Sequence, residues 1–541
     1  MADHDRSSSP ASGSPRDSKA FNDVVTPPHL ESPERTAHIA AVEKRLKRKM
    51  DLQLVPLCLM IYLLSFLDRT NIGQARLNGL EKDLNMSKDG KDYRIALTVL
   101  YVPYILFEIP SNLVLKKIGP SIWIPSLLVA WGLVSTLQGI VHDKTGLYIN
   151  RAFLGFTEAG VLPALALYLT FFYKPHELNL RQALYFSGAS LSGTFGGLLA
   201  TAISQMAGVG GRSGWSWIFI LEGIFTIVFG LAAFWMLPND ITKLWWVTPE
   251  EAELARTRML PAPEKPVEGG LEAAGDKVAD RDVLGATRAT AVVDQQEKHE
   301  VTGSYVLSEV KRTLLDPLVL LFAASGYAYA TLLYSAAFFS PTIIKAMDKY
   351  TVIQSQLLSC PPTAAAFIVS VAVAFASDRY KWRYPFAVGC IILAIIGTSV
   401  AYTAIDPKIR YGGLIILTCG TYSIPPIGIS WMLNNTASHY KRATSIALYI
   451  VFTNCGGITS TWLFNNNEAP RFERGFLVNL CLCCAAIVLV TVAELLMVME
   501  TKKRKAGKRD HRVTELQAKG WSDAHIKDYL GDRHPQFEYT L

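Results

Sequence analysis

Apolar segments of about 20 residues alternate with short polar stretches over most of this chain. A helix needs about 20 consecutive, mostly apolar residues to cross the hydrocarbon core of a bilayer. The pattern therefore predicts an all-α membrane protein whose twelve transmembrane helices form two six-helix halves around a long polar loop. The predicted spans are residues 52–74, 94–115, 121–141, 146–172, 182–207, 215–237, 317–341, 354–376, 384–404, 411–433, 442–464 and 475–498.

The polar sequence outside the spans divides the chain into five regions. They are a cytoplasmic N-terminal tail (1–50), a first six-helix half (51–238), a cytoplasmic middle loop (239–316), a second six-helix half (317–499) and a cytoplasmic C-terminal tail (500–541). The N-terminal tail is rich in Ser, Pro and charged residues, so we expect it to be disordered to about residue 43. In the middle loop, Thr248 and Pro249 followed by two glutamates predict a helix start, and the Pro- and Gly-rich remainder predicts a flexible linker.

Basic residues set the orientation of the predicted helices. Lysine and arginine cluster at the ends of apolar segments, at Lys44–Lys49, Lys116–Lys117, Lys441–Arg442 and Lys502–Lys505. Cytoplasmic loops of membrane proteins carry this excess, so both tails are predicted to be cytoplasmic. Asn85 then lies outside, in a glycosylation sequon. Only 18% of the residues are charged, below the usual quarter, so the net charge of +7 fits a membrane protein rather than a nucleic-acid partner.

Charged residues inside two of the predicted spans indicate function. Two halves separated by a long loop are typical of transporters whose substrate site lies between the halves. The first span contains Asp68 and Arg69, and the fourth contains Arg151 and Glu158. A charge at the centre of a membrane helix costs roughly 2.5–3.5 kcal/mol, so these residues need a compensating role. Arg151 and Glu158 are about two helical turns apart and lie on one face.

The four charged residues share one cavity if the first and fourth spans pack together. The carboxylates of Asp68 and Glu158 could then carry protons, because a low-dielectric cavity raises their pKa toward neutrality. An arginine stays charged and binds a substrate carboxylate with two donors, a role open to Arg69 and Arg151. The alternative is two structural salt bridges. We favour function because buried ion pairs are a costly way to stabilise a fold.

Other polar residues in the spans are weaker candidates. Glu108 is either a third titrating group or a partner of nearby loop lysines. Asn454, beside two glycines in the middle of a span, is a candidate for hydrogen bonding to substrate, and Asn434 is a further uncharged candidate. Tyr327 could line the cavity, although an aromatic stripe is also typical of packing. The cysteines lie mostly in apolar segments, so we expect no metal or other cofactor.

Five motifs in a fixed order carry a resemblance to a known family. They read FLDRTNIGQAR (66–76), FEIPSNL (107–113), RAFLGFTEAGVLPA (151–164), GWSWIFILEG (214–223) and LPNDITKLWWVTPEE (237–251). The chain resembles the major facilitator superfamily and, within its anion:cation symporters, the fungal allantoate permease branch. That branch also includes nicotinate, pantothenate and biotin transporters. The resemblance covers about residues 50–500.

The resemblance implies roles for individual residues. Asp68 and Glu158 would couple protons, Arg69 would hold the substrate carboxylate, and Arg151 would bind the anion or hold Glu158. Asp378 and Arg379 match the superfamily's loop signature, which is thought to hold the inner gate closed. In the first half, Lys116 and Lys117 stand where that acid–base pair is expected.

These features predict a proton-coupled importer of a small carboxylate, such as a vitamin or ureide, in the plasma membrane. Its partners would be the substrate, protons and the lipid bilayer, and the resemblance implies a monomer. The same charges would also serve an exporter of an acidic secondary metabolite on an internal membrane such as the vacuole. A transporter-like nutrient receptor is an alternative from another class. No nucleophile–base set appears outside the spans, so we do not expect an enzyme.

Overall fold

A computed structural model describes residues 33–241, 244, 246–258, 303–348, 350–437 and 439–540. Over these ranges the chain forms α-helices joined by turns and short 3₁₀ segments. The helices of the first half are α1 (Pro33–Leu77), α2 (Leu80–Asp83), α3 (Lys91–Ile118), α4 (Pro120–Gln138), α5 (Lys144–Glu158), α6 (Val161–Thr170), α7 (Pro175–Phe186), α8 (Gly188–Ser204), α9 (Gly214–Met236) and α10 (Pro249–Arg258).

The second half repeats this plan of long helices and short connections. Aspartate caps begin two of them: Asp316 accepts a hydrogen bond from the Leu318 amide, and Asp406 accepts one from the Lys408 amide. The helices are α11 (Gly303–Leu314), α12 (Pro317–Met347), α13 (Val352–Leu358), α14 (Cys360–Tyr380), α15 (Tyr384–Thr403), α16 (Pro407–Asn434), α17 (His439–Thr461), α18 (Glu473–Lys505), α19 (His511–Gln517) and α20 (Asp523–Leu530).

The predicted all-α membrane fold is confirmed. Within the described ranges, ten helical segments are long and apolar enough to cross a membrane. The predicted fifth and eleventh spans correspond to α7–α8 and α17, whose polar residues keep them out of that set. Ser187 joins α7 to α8 with right-handed helical backbone angles, so this pair forms a nearly continuous span. These helices together are consistent with twelve spans.

The N-terminal tail departs from the prediction of disorder. Helix α1 begins at Pro33, well before the first predicted span. Val42, Leu46 and Met50 are at most 2% exposed and recur every four residues, which gives this segment an apolar face that packs onto the first half. The predicted disorder is therefore wrong for residues 33–43, because they belong to the same helix as the apolar face that packs onto the first half. Residues 1–32 lie outside the described ranges.

The start of the middle loop agrees with its sequence pattern. The Thr248 hydroxyl accepts a hydrogen bond from the Glu251 amide, and Glu251 accepts one from the Thr248 amide, so the two residues cap α10 reciprocally. Lys49 binds Glu251 at 2.7 Å and thereby ties α1 to α10. The predicted flexible linker falls on residues 259–302, which lie outside the described part of the chain.

The C-terminal tail folds back onto the second half. The guanidinium of Arg504 donates hydrogen bonds to the carbonyls of Asp532 and Phe537, at 2.8 and 2.7 Å. Asn435, at the end of α16, exchanges two hydrogen bonds with the Thr540 backbone. Lys441, near the start of α17, binds Asp532 at 2.7 Å. The tail therefore connects the predicted cytoplasmic ends of α16, α17 and α18.

The two halves join closely on the side of Asn85, which is predicted to face outward. There α3 packs on α17, and α8 packs on α13 and α14. Gln74 donates a hydrogen bond to Ser359 at 3.3 Å, and Arg76 donates one to Asn466 at 2.6 Å. These contacts close the side of the molecule that is predicted to face outward.

Candidate functional site

A small cavity lies at the centre of the interface between the halves. Helices α1, α3, α6, α12 and α17 contribute its walls. Its volume is ≈ 30 Å³, which is room for about two water molecules. The lining residues are Tyr62, Ser65, Phe66, Arg69, Tyr104, Leu162, Tyr334, Ile450, Thr453 and Asn454.

Arg69 is the charged residue that lines this cavity. One terminal nitrogen, Nη2, donates to Glu158 Oε1 at 2.8 Å, and the other, Nη1, donates to the Tyr334 hydroxyl at 2.7 Å. The guanidinium lies over the ring of Tyr104, 4.9 Å from its centre, in a cation–π arrangement. Its Nε is buried and has no hydrogen-bond partner among the described residues. Arg69 thus contacts a carboxylate from the first half and a phenol from the second half.

Glu158 has donors on one oxygen only. Its Oε1 accepts hydrogen bonds from Arg69 and from the Ser65 hydroxyl. Its Oε2 is buried and has no partner within the described structure. The expectation that Arg151 holds Glu158 is wrong, because Arg69 forms this ion pair instead. The carboxyl group therefore has one oxygen available for a proton.

Asp68 and Arg151 do not line the cavity, which corrects the expectation that all four charged residues share it. Asp68 accepts hydrogen bonds from Trp131 Nε1 at 3.0 Å and from the Ser135 hydroxyl at 2.8 Å, both on α4. Arg151 is fully buried, close enough to Asp68 for electrostatic attraction, and its guanidinium carbon lies 5.9 Å from the centre of the Phe219 ring. Both residues face the interior of the first half.

Helical geometry explains this division. Neighbouring residues on a helix point about 100° apart, so Asp68 and Arg69 face different surroundings on α1. Tyr62, Ser65 and Arg69 are spaced by three and four residues and form the cavity-facing stripe of α1. The same spacing, read backwards from Arg69, could have identified Ser65 as a site residue. Sequence reasoning missed it because a serine in an apolar span is a common packing residue.

Aromatic rings form the walls around the guanidinium. The rings of Phe66 and Tyr334 stack with centres 5.9 Å apart and planes 13° apart, and Tyr101 meets Tyr334 edge-on at 5.5 Å. Tyr327, the tyrosine that the sequence suggested as a cavity residue, does not line the cavity, whereas Tyr334 of the same helix does. The Tyr327 hydroxyl instead shares a 2.9 Å hydrogen bond with Thr459 and joins α12 to α17.

Two further predicted candidates lie at or beside the cavity. Asn454 is 2% exposed, lines the cavity from α17, and its Nδ2 has no described partner. Glu108, on α3 one turn beyond Tyr104, is 2% exposed, and neither carboxyl oxygen has a hydrogen-bond partner in the described structure. Arg69 is close enough to interact with it electrostatically. Glu108 therefore lies next to the charged site rather than in it.

The remaining predicted residues lie away from the cavity. Asn434 is the last residue of α16 and lines neither of the two described cavities. Asp378 pairs with Arg383 at 2.5 Å across the turn between α14 and α15, while Arg379 is exposed. Asn85 is exposed, with a left-handed backbone (φ 51°) that asparagine tolerates well. Within the described ranges, no group of three or more His, Cys, Asp or Glu residues is arranged to hold a metal.

The fold and the charged cavity between its halves define a secondary transporter of the membrane. Residues 58–461 match the family model of the Major Facilitator Superfamily. The chain therefore belongs to this superfamily.

Curated relatives and solved structures agree with this assignment. An uncharacterized transporter of Schizosaccharomyces pombe is 33% identical over 85% of this chain and 84% of its own length. The high-affinity nicotinic acid transporter of Saccharomyces cerevisiae is 28% identical over 92% of this chain and 85% of its own length. A bacterial homolog of the human lysosomal transporter Spinster, in an inward-facing and occupied conformation, is similar in fold alone. Its TM-score is 0.55 at 14% identity, over 81% of this chain and 96% of that one.

Proposed function

We propose that this protein is a proton-coupled importer of a small organic anion in the plasma membrane, within the allantoate permease branch of the superfamily. The observation that carries this proposal is the placement of Arg69. Its guanidinium lines the cavity and binds Glu158 through one terminal nitrogen and Tyr334 through the other.

Competition for Arg69 would couple the proton to the anion. A substrate carboxylate needs the same donors that bind Glu158, because guanidinium binds carboxylates through paired N–H groups. While Glu158 is ionised it satisfies Arg69, and an incoming anion would add an unpaired negative charge to a buried site. A proton on Glu158 removes its charge and releases Arg69. The neutralised site then favours the anion.

The contact with Tyr334 would connect binding to the movement of the halves. Arg69 belongs to α1 in the first half and Tyr334 to α12 in the second. An anion that takes donors of Arg69 changes a hydrogen bond that joins the two halves. Substrate and proton would therefore shift the balance between conformations by differential contacts, as alternating access requires.

The cavity walls support a planar or partly apolar carboxylate as substrate. Tyr104, Tyr334 and Phe66 offer ring faces beside the guanidinium, and Asn454 offers an uncharged donor. The similarity to a nicotinic acid transporter supports the same class of substrate. In this proposal Glu158 carries the proton and Arg69 binds the carboxylate. Asp68 and Arg151 balance each other's charge inside the first half, and Glu108 is an adjacent proton acceptor.

Uptake into proteoliposomes tests the proposal. The purified protein would be given nicotinate, allantoate, pantothenate, biotin and short dicarboxylates under an acid-outside gradient, with internal pH recorded by a trapped dye. We expect at least one acid to drive proton entry. Collapse of the pH gradient by a protonophore beforehand should abolish this entry. Arg69→Lys should reduce that flux at least tenfold, because lysine lacks the rigid planar fork of donors with which arginine binds Glu158 and Tyr334 through separate nitrogens.

An exposed arginine provides a matched control. Arg474 lies on the surface at the start of α18, so Arg474→Lys should leave proton flux unchanged. The proposal fails if none of the acids moves protons, or if Arg69→Lys transports as well as the wild type.

A further inference from the structure

A second cavity adjoins the first on its outward side. It is lined by Thr70, Asn71 and Gln74 of α1, the turn that follows Arg69, together with residues of α8, α12, α14 and α16. Its volume is ≈ 20 Å³, which is room for about one water molecule. Tyr422, in its wall, meets Phe66 of the first cavity with ring centres 6.5 Å apart, so the two cavities are neighbours.

Asn71 presents an unpaired amide to this cavity. The side chain is 1% exposed, and neither its Nδ2 nor its Oδ1 has a hydrogen-bond partner in the described structure. Gln74 is similar, since its Nε2 donates to Ser359 at 3.3 Å but its Oε1 has no partner. Buried polar groups are almost always paired, so an unpaired one in a native protein calls for an explanation, such as a functional role or a bound water or ion.

Glycines on α8 keep the space beside Asn71 open. A Cβ atom at Gly196 would lie 3.3 Å from Asn71 Oδ1 and 3.0 Å from Leu67 Cδ1. At Gly193 it would lie 2.7 Å from Thr363 Cγ2 of the second half. Larger residues at these positions would fill the cavity or push the halves apart.

The side chains that line this cavity favour an uncharged ligand group. Amides, hydroxyls, a phenol and small apolar side chains form the lining, and none of the lining residues is an Asp, Glu, Lys, Arg or His. A second carboxylate there would be buried without a counter-charge, which is strongly unfavourable. Asn71 has one donor and one acceptor side by side, and a primary amide is the group that complements both.

We propose that this cavity is a second subsite of the transport pathway, which binds a primary amide or a similar donor–acceptor group at the far end of the transported anion. The inference rests on the proposed transport function, because Arg69 supplies the carboxylate contact for the same molecule. Asn71 lies two residues after Arg69, an axial rise of about 3 Å and a turn of about 200° around α1, so a ligand that reaches both residues must pass beside the contacting rings of Phe66 and Tyr422. A primary amide is larger than the single water for which this cavity has room, so the halves must part to admit it.

Two acids of equal length test the subsite. One is 4-carbamoylbutanoate, which has a carboxylate and a distal primary amide, and the other is pentanoate, which lacks the amide. Their binding to the full-length protein in nanodiscs would be measured by calorimetry. We expect the wild type to bind 4-carbamoylbutanoate about tenfold more tightly, a factor typical of one well-made hydrogen bond. Asn71→Leu should remove this preference, and Arg69→Lys should weaken both acids.

Thermal stability gives a second measurement that needs no ligand. Leucine has nearly the shape of asparagine without its polar atoms, so Asn71→Leu should not lower the melting temperature, because it removes an unpaired buried amide. Asn479 is the matched control, since it is also 1% exposed but accepts a hydrogen bond from Ser335 at 3.5 Å. Asn479→Leu should lower the melting temperature and keep the preference for 4-carbamoylbutanoate.

The outcomes separate this subsite from the proposed function. The wild type could bind the two acids with equal affinity, and Arg69→Lys could weaken both. This result would overturn the subsite and leave the transport proposal intact. Failure of the wild type to bind 4-carbamoylbutanoate would also overturn the subsite. Binding of both acids that is unaffected by Arg69→Lys would contradict the proposed function itself. A clear loss of stability in Asn71→Leu would show that Asn71 has a structural role.

Discussion

Two neighbouring residues on α1 belong to different environments. Arg69 faces the cavity between the halves and binds Glu158, whereas Asp68 faces α4 and accepts hydrogen bonds from Trp131 and Ser135. Arg151 is buried in the same interior, where Asp68 attracts it electrostatically. The protein therefore separates the Arg69–Glu158 ion pair at the cavity from two further charges, Asp68 and Arg151, that are enclosed in the first half.

Removing one charge of the enclosed pair should destabilise the protein. Asp68→Asn removes one of the two carboxylates that attract the buried Arg151 and leaves Glu158, which is already paired with Arg69, so the expected loss is at most about 3–5 kcal/mol of unfolding free energy. The double variant Asp68→Asn with Arg151→Met should recover much of this loss, because it leaves no unpaired charge. Thermal unfolding in detergent would measure both. A double variant no more stable than Asp68→Asn alone would show that the two residues are not energetically coupled.

Sequence periodicity predicted the helices well and the site partly. The apolar segments identified the positions of the spans. Of the four charged residues expected to share one cavity, Arg69 lines it and Glu158 pairs with Arg69, while Asp68 and Arg151 lie elsewhere. The pairing of Glu158 with Arg69 rather than Arg151 depends on how α1 packs against α5, which one sequence does not show. Tyr104 and Ser65 escaped notice because their residue types are common in packed helices. The order in residues 33–43 was missed because the tail is rich in Ser, Pro and charged residues, and the buried apolar repeat of this helix begins only at Val42.

The outward closure is built by loops and helix ends rather than by the charged site. Asn466, between α17 and α18, accepts a hydrogen bond from Arg76 at 2.6 Å and donates to the Lys88 carbonyl at 3.4 Å. Thr98 of α3 and Thr461 of α17 share a further hydrogen bond of 3.0 Å. These contacts must break if the protein opens outward.

A covalent link across this closure should stop transport. We expect Lys88→Cys with Asn466→Cys, joined by a short thiol cross-linker, to lose nearly all uptake of the transported acid, since the outward side could not open. Uptake by reconstituted protein before and after cross-linking would measure this. Each single cysteine variant, treated with the same cross-linker, is the control. These controls also show any effect of cross-linker that reacts with the exposed Cys481 and Cys484. Full transport by the cross-linked protein would contradict this role for the closure.

The C-terminal segment is a structural part of the second half. Arg504 and Lys441 lose their bonds to Asp532 if the segment is removed, and Arg504 also loses its stacking on Tyr539, whose ring centre lies 4.4 Å from the guanidinium carbon. Deletion of residues 531–541 should therefore lower the melting temperature by several degrees. The exposed Lys519→Ala is the control, which should change nothing. An unchanged melting temperature after the deletion would show that these contacts contribute little.

The whole molecule is organised around one shared guanidinium. The halves meet on the outward side, and below that closure Arg69 of the first half binds Tyr334 of the second. A ligand that competes with Glu158 for Arg69 therefore acts at the junction of the two halves. This arrangement gives a physical route from protonation, through anion binding, to a change in how the halves contact each other.

The most direct test is the number of protons taken up when the anion binds. Purified protein in weakly buffered detergent solution would be mixed with a transported acid at a pH where the acid is ionised, and a pH indicator would record proton uptake. We predict uptake of about one proton per bound anion in the wild type. Glu158→Gln should still bind the anion, because Arg69 is already released, but with no proton uptake. The same proton uptake in Glu158→Gln as in the wild type would contradict the account.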